Sequence, residues 1–232
     1  MKWLLFAWKN VLRNRRRALL ALLIIAVGTA AGLIGGGFAL FTYESLAEMT
    51  ARDTGHVVVG HSAYFDDDEE LPMQNGLSGA GKLSEKFAEM PGVRAVVPRL
   101  QFSGLISNGD KSSIFVGTGV DPESEFRLRG PQMTFVAGEV LSSPSPSVPE
   151  VVIGSELAKQ MKAKPGSSLT LLATTTEGNL NAVDVTVKGI ISVGVPDIDK
   201  RLVLTALPAA QKLLLTDKVS TLSLYLKDTN QT

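Results

Sequence analysis

A long uncharged segment near the N-terminus constrains this chain more than any other feature. Residues Ala18 to Tyr43 carry no charged side chain. As a helix, the core Ala18–Phe41 reaches about 36 Å, enough to cross a hydrocarbon layer of about 30 Å with some tilt. A cleaved secretory signal is the alternative, but its apolar stretch is only about 7–15 residues long. The sequence therefore favours a retained transmembrane helix over residues 18–43.

Charge asymmetry around this segment predicts its orientation. Six basic residues precede it, and the first acidic residue of the chain is Glu44. Basic residues beside a membrane span are retained on the cytoplasmic side. We expect the N-terminus to be cytoplasmic and everything after Tyr43 to lie outside, with topology set mainly by Arg13, Arg15, Arg16 and Arg17.

Residues 1–17 are predicted to form a cytoplasmic interfacial amphipathic helix followed by a basic run. Trp3 and Trp8 recur with other apolar residues at helical spacing, and Lys2 and Lys9 lie elsewhere on the helix. This pattern is typical of helices that lie in the membrane interface. A membrane span that starts earlier is the alternative, but it would carry arginines into the bilayer at a high energetic cost.

Three glycines form a stripe within the predicted span. Gly28, Gly32 and Gly36 recur every four residues and so share one helix face. Small residues at this spacing let a second membrane helix approach closely. The stripe predicts a helix-packing face, although glycine is also generally common in membrane helices.

The part after the span is acidic and free of cysteine. Its 189 residues contain 17 basic and 23 acidic side chains, a net charge of −6. This charge argues against nucleic acid and against polybasic attachment to anionic lipid. The absence of cysteine from the whole sequence excludes disulfides, thiolate metal sites and thiol catalysis.

The coarse pattern after the span predicts a stalk over residues 44–54 and an extracytoplasmic domain over residues 55–232. Short strands alternate with single helices and hairpins, which indicates an α+β domain with a mixed sheet, here expected as two subdomains. Ser155 is a plausible helix N-cap, and residues 142–149 form a loop. Predicted strands cover residues 56–60, 93–97, 102–107, 113–120, 134–141, 150–153, 168–173, 183–193, 203–204 and 221–226, and predicted helices cover 82–90, 156–161 and 208–214.

Catalytic motifs are scarce. The sequence contains neither a complete G-x-x-x-x-G-K-[ST] phosphate loop nor a G-x-S-x-G serine motif. The most specific chemical hypothesis is a divalent-metal site formed by His56, His61 and the acidic run Asp66–Glu70. However, such an acidic run is more often a solvated surface. We therefore expect no enzymatic activity, no metal and no cofactor.

Several segments together resemble ABC transporter permeases of the MacB, FtsX and LolC/LolE superfamily. The opening AWKNVLRNRRRALL resembles their interfacial helix and basic run, and Thr54-Gly55-His56 is similar to a motif after the stalk of lipoprotein-releasing members. Further similar segments, in the same order, are MPGVRAVVPRL at 90–100, EVVIGSELAKQMKAKPGSSLTL at 150–171 and VKGIISVGVPDIDKRLVLTALPAAQKLL at 187–214. Within this superfamily, the chain most resembles the lipoprotein-releasing permeases.

The resemblance implies a non-enzymatic transporter subunit with a MacB-like extracytoplasmic core domain in the cell inner membrane. Its implied partners are a cytoplasmic ABC ATPase, a second permease copy or paralogue in a dimer, membrane lipid, and a lipoprotein or periplasmic partner protein. Such permeases have three further membrane helices after the outer domain. We expect these helices in a continuation of the gene beyond Thr232 or on a separate chain.

Three functions remain open at this point. The favoured one is a permease subunit that couples cytoplasmic ATP hydrolysis to movement of the outer domain, for extrusion of lipoprotein, drug or lipid. A single-pass anchored binding or adhesion domain is the alternative. A membrane-anchored enzyme is third, because the sequence supplies almost no polar cluster with a general base.

Overall fold

The computed structural model describes Trp3, Trp8 and residues 13–66, 71–129, 133–143 and 146–227. The chain divides into two compact units, Met1–Thr50 and Ala51–Thr232. Most of the predicted interfacial helix over residues 1–17 lies outside the described residues.

The first unit is dominated by helix α1, Arg15–Thr54, which is 40 residues long and unbroken. Its portion Arg15–Leu46 is long and apolar enough to cross a membrane, and no part of its most apolar window is buried by the rest of the protein. The predicted single apolar helix is therefore present. The helix also continues through the predicted stalk and ends before Gly55, as the Thr54-Gly55 step predicted.

The second unit is a mixed α/β domain. Its strands are β1 Val57–Gly60, β2 Val93–Ser107, β3 Ser112–Val120, β4 Thr134–Gly138, β5 Glu150–Gly154, β6 Ser168–Thr174, β7 Leu180–Ser192, β8 Leu202–Ala206 and β9 Thr221–Leu226. Its helices are α2 Ser62–Asp66, α3 Ala80–Ala88, α4 Pro122–Arg129, α5 Ser155–Met161, α6 Pro196–Asp199 and α7 Leu207–Leu214.

The strands pair in the order β1-β9-β2-β3-β8-β5-β7-β4, and β6 pairs with both β2 and β7. Six strands, β2, β3, β8, β5, β7 and β6, therefore form a closed ring of pairings. The pairs β3–β8 and β5–β7 are parallel and the other pairs are antiparallel. The expected α+β domain with a mixed sheet is confirmed.

Three hydrophobic clusters stabilise this unit. The largest contains inward side chains of the ring, such as Phe115 and Ile153, packed with α5 and α7. A second includes Val152 and Leu204 and is joined by Phe126 of α4. A third lies where α3 covers β9 and the first half of β2. Strand β2 is thus shared between the ring and a smaller three-stranded region formed with β9 and β1.

Strand β2 differs from the sequence-based expectation. The sequence predicts two strands, 93–97 and 102–107, separated around Pro98, but the structure has one strand of 15 residues. Pro98 pairs with Leu222 of β9, and pairing with β3 begins only at Leu100. Because β2 has a strand partner on only one edge at Pro98, the proline can be accommodated without ending the strand.

Local predictions at α5 and in three short helices also differ. Ser155 was expected as the N-cap of α5, and this is wrong, because Gly154 occupies the N-cap and Ser155 is the first helical residue. The Ser155 hydroxyl instead donates to Asp199 Oδ2 at 3.2 Å. Helices α2, α4 and α6 were not predicted, and Asp66 ends α2 rather than starting a loop. The rest of the acidic run, residues 67–70, lies outside the described residues.

Candidate coupling site at the end of the long helix

The last turn of α1 belongs to the second unit, Ala51–Thr232, and ends at a glycine. Gly55 has φ +96°, and its N–H donates to Ala51 O at 3.0 Å. Glycine in a left-handed conformation is the common way to end a helix. A Cβ at Gly55 would also lie 3.1 Å from Ser223 Cβ of β9, so the close approach to this strand requires glycine.

Arg99 of β2 holds this helix end from inside the domain. Its side chain is 7% exposed, and one terminal nitrogen donates to the main-chain oxygen of Asp53. The other terminal nitrogen lies 3.1 Å from Glu125 Oε2 of α4, and the Glu125 side chain is fully buried. The same nitrogen donates to the Tyr225 hydroxyl at 2.9 Å. Among the described residues, the Arg99 Nε–H has no hydrogen-bond acceptor.

The arrangement follows from elementary electrostatics. A cation is favoured at the C-terminal end of a helix, where carbonyl groups lack intrahelical partners. A buried guanidinium needs an anion close by, which Glu125 supplies. Planar guanidinium geometry allows several partners to be held at once, which a lysine ammonium cannot reproduce.

His56 and Tyr225 complete the contact on the β9 side. The His56 N–H donates to Leu224 O at 2.9 Å, and His56 Nδ1 accepts from the Leu226 N–H at 3.3 Å. The rings of His56 and Tyr225 meet edge to face, with centroids 6.1 Å apart. Residues 53–56 are therefore tied to β2, α4 and β9 together. We call Asp53, His56, Arg99, Glu125 and Tyr225 the coupling cluster.

The predicted metal ligands do not converge in the part of the chain that the structure describes. His56 belongs to the coupling cluster, whereas His61 Nδ1 accepts from the Ala63 N–H at 3.3 Å. No group of three potential metal ligands occurs among the described residues. Residues 67–70 of the predicted site lie outside them.

The residues predicted for membrane packing and topology all lie on or before α1. A Cβ added at Gly28, Gly32 or Gly36 would meet no atom within 4 Å among the residues that the structure describes, apart from the helix's own backbone. Arg13, Arg15, Arg16 and Arg17 are exposed. Their proposed roles concern a partner helix and a membrane, and both roles stay predictions.

Sequence reasoning missed the coupling cluster. Arg99 was noticed only within the MPGVRAVVPRL similarity, and Glu125 was not singled out. The available signal was a lone arginine inside an apolar, strand-forming run. A charge at such a position is expected to be buried with a partner, but the sequence could not identify Glu125, which lies 26 residues further along.

Among the described residues, one apolar helix is long enough to cross a membrane, and a mixed α/β domain holds its end. Residues 18–232 match the family model of the MacB-like periplasmic core domain, and the chain belongs to this family. The domain is accordingly extracytoplasmic. Belonging to this family also places the chain among components of ABC transporter permeases.

One similar solved structure supports the fold. The extracellular domain of the noncanonic ABC-type transporter YknZ from Gram-positive bacteria is 14% identical, with a TM-score of 0.51 over 69% of this chain and 82% of that chain. The periplasmic region of MacB from Actinobacillus actinomycetemcomitans is also 14% identical, with a TM-score of 0.49 over 74% of this chain and 73% of that chain.

Proposed function

We propose that this chain is the permease subunit of a mechanotransmitting ABC transporter in the inner membrane. A separate cytoplasmic ATPase hydrolyses ATP, and α1 passes the resulting movement to the outer domain. The N-terminus is cytoplasmic, and the active complex contains a second permease copy or paralogue. The outer domain then acts on lipoprotein, drug or lipid, or on a periplasmic partner protein, without catalysis of its own.

One observation carries this proposal. Helix α1 is continuous from its apolar part to Thr54, and the buried Arg99 side chain holds the Asp53 carbonyl at its end. A helix without a break transmits displacement, whereas a flexible tether absorbs it.

The test inserts Gly-Ser-Gly-Ser after Glu48 in the cysteine-free chain, assembled with its ATPase in lipid nanodiscs. A single fluorophore on Ser147→Cys, at an exposed position, reports movement of the outer domain. We expect the insertion to abolish the nucleotide-dependent fluorescence change while ATP hydrolysis continues.

The matched control places the same insertion after Glu177, in the exposed turn before β7. This control should keep the nucleotide response. An unchanged response with the Glu48 insertion would show that the helix is only a tether. The anchored binding or adhesion domain would then be the better function.

A further inference from the structure

A cleft of about 540 Å³ opens on the outer domain beside β2. This volume lies within the range of about 300–1,000 Å³ that ligand sites usually occupy. Residues from α2, from β2, β3, β6 and α7, and from the segments before α3 and before β9 line the cleft. They include Met73, Gln101, Phe102, Ser103, Val116 and Thr174.

The cleft lies where the strand pairing on one edge of β2 is interrupted. Strand β9 pairs with this edge as far as Arg99, and β6 pairs with it again from Leu105. Arg99 O accepts from the Ser220 N–H, and the Gln101 N–H donates to Ser220 Oγ at 2.8 Å. Because the main-chain groups of a strand alternate between its edges, those of Ser103 lie on the same edge, within the interruption.

The walls of the cleft are held in place by specific contacts. The Tyr64 hydroxyl donates to Gln101 Oε1 at 3.2 Å, which fixes α2 against β2. Lys218 Nζ donates to Met73 O at 3.2 Å, and the Ser220 hydroxyl lies 3.4 Å from Met73 Sδ. A ligand would therefore enter a preformed site, which lowers the entropic cost of binding.

The described residues that line the cleft are uncharged but rich in hydrogen-bonding groups. Among the described residues, Gln101 Nε2, Ser103 Oγ and Thr174 Oγ1 have no hydrogen-bond partner in the protein. Apolar side chains, including Phe102 and Val116, form the remaining surface. A charged ligand group would lose hydration against these described lining residues without gaining a counter-charge from them, so they favour an uncharged occupant.

We propose that this cleft binds a short, extended and uncharged polypeptide segment of a partner protein. The interruption in β2 pairing leaves the main-chain groups of Ser103 on a strand edge for the segment's main chain, as in other strand-addition sites. The hydroxyl and amide side chains can both donate and accept, and so they match peptide groups. The apolar surface receives alternate side chains of the segment.

The test uses the full chain in lipid nanodiscs and a mixture of acetylated, amidated tetrapeptides built from Ala, Val, Thr, Ser and Gln. Saturation-transfer NMR should detect bound peptides. Ser103→Tyr fills the cleft and should weaken the apparent affinity about tenfold or more. Ser112→Tyr places the same side chain at an exposed position of β3 outside the cleft, and it should leave binding unchanged.

A second change, Thr174→Val, removes a hydrogen-bonding group from the lining while keeping side-chain volume. It should also weaken binding, which protects the test against misfolding of Ser103→Tyr. The proposal is overturned if no peptide shows transfer, if both tyrosine variants bind equally, or if peptides containing Asp or Lys bind as well. It is also overturned if maltotriose or chitotriose binds in a Ser103-sensitive manner and the peptides do not.

Discussion

Arg99 forms buried side-chain contacts at the end of α1. Its guanidinium links the end of α1 to Glu125 and Tyr225 in a buried environment. Because a buried ion left without its partner keeps the full cost of desolvation, the effect of changing Arg99 should far exceed that of a surface arginine.

We expect Arg99→Met to lower the free energy of unfolding by about 3–5 kcal/mol. Arg99→Lys keeps the charge but not the planar fork of the guanidinium. Its free energy of unfolding should therefore lie between those of the natural protein and Arg99→Met. Urea unfolding of the full chain in nanodiscs measures both. Arg99→Met combined with Glu125→Gln should cost less than the sum of the single changes, and strict additivity would show that the ion pair contributes nothing.

A second prediction for a single residue concerns Glu150 and the dependence of the protein's stability on pH. Partial burial raises the pKa of Glu150, but hydrogen bonding from Ser142 and the charge of Lys188 outweigh this effect, so the pKa lies below its usual value. A lowered folded-state pKa stabilises the protein above the unfolded-state pKa, and this stability is lost as the pH falls through the folded-state pKa.

We therefore expect the melting temperature to fall in acid more steeply for the natural protein than for Glu150→Gln. The exposed turn residue Glu177 offers a matched control. Glu177→Gln should leave the fall of the melting temperature in acid unchanged. Parallel profiles for the natural protein and Glu150→Gln would contradict the assigned role of the Ser142 and Lys188 contacts.

At the scale of elements, α1 agrees most closely with the sequence-based expectation. A long uncharged run can form little except a helix in a membrane, so its existence and its end near Gly55 were predictable. The length of strand β2 was less predictable. The residues around Pro98 suggest a break, because they do not show the pairing with β9 that accommodates the proline. The coupling cluster could not be predicted, since it joins α1, β2, α4 and β9.

The glycine stripe of α1 leads to a testable prediction about helix packing in the membrane. If Gly32 packs against another membrane helix, Gly32→Leu should separate the helices and cost about 1 kcal/mol or more. The reduced assembly should appear as weaker co-purification of the permease with its ATPase and second permease subunit. Leu22→Ile, within the same apolar run, serves as the control, and equal tolerance of both changes would exclude the packing face.

For the whole molecule, the orientation across the membrane can be tested directly. The chain has no cysteine, so Ser147→Cys introduces a single exposed thiol on the outer domain. We expect a membrane-impermeant maleimide to label it in cells whose outer envelope is permeable but whose inner membrane is intact. Labelling that occurs only after lysis would place the domain in the cytoplasm.

The pairing of β1 with β9 has a consequence for biosynthesis. Val57 lies just after the helix end, yet its partner Leu224 lies in the last strand, and the Leu226 N–H reaches His56 across 170 residues. If the domain after α1 crosses the membrane in chain order, β1 cannot pair with β9 until nearly the entire domain has crossed. Ribosome-bound or prematurely ended chains would thus display an unfinished β2 edge to chaperones and proteases, and only full-length domains would become joined to their membrane helix.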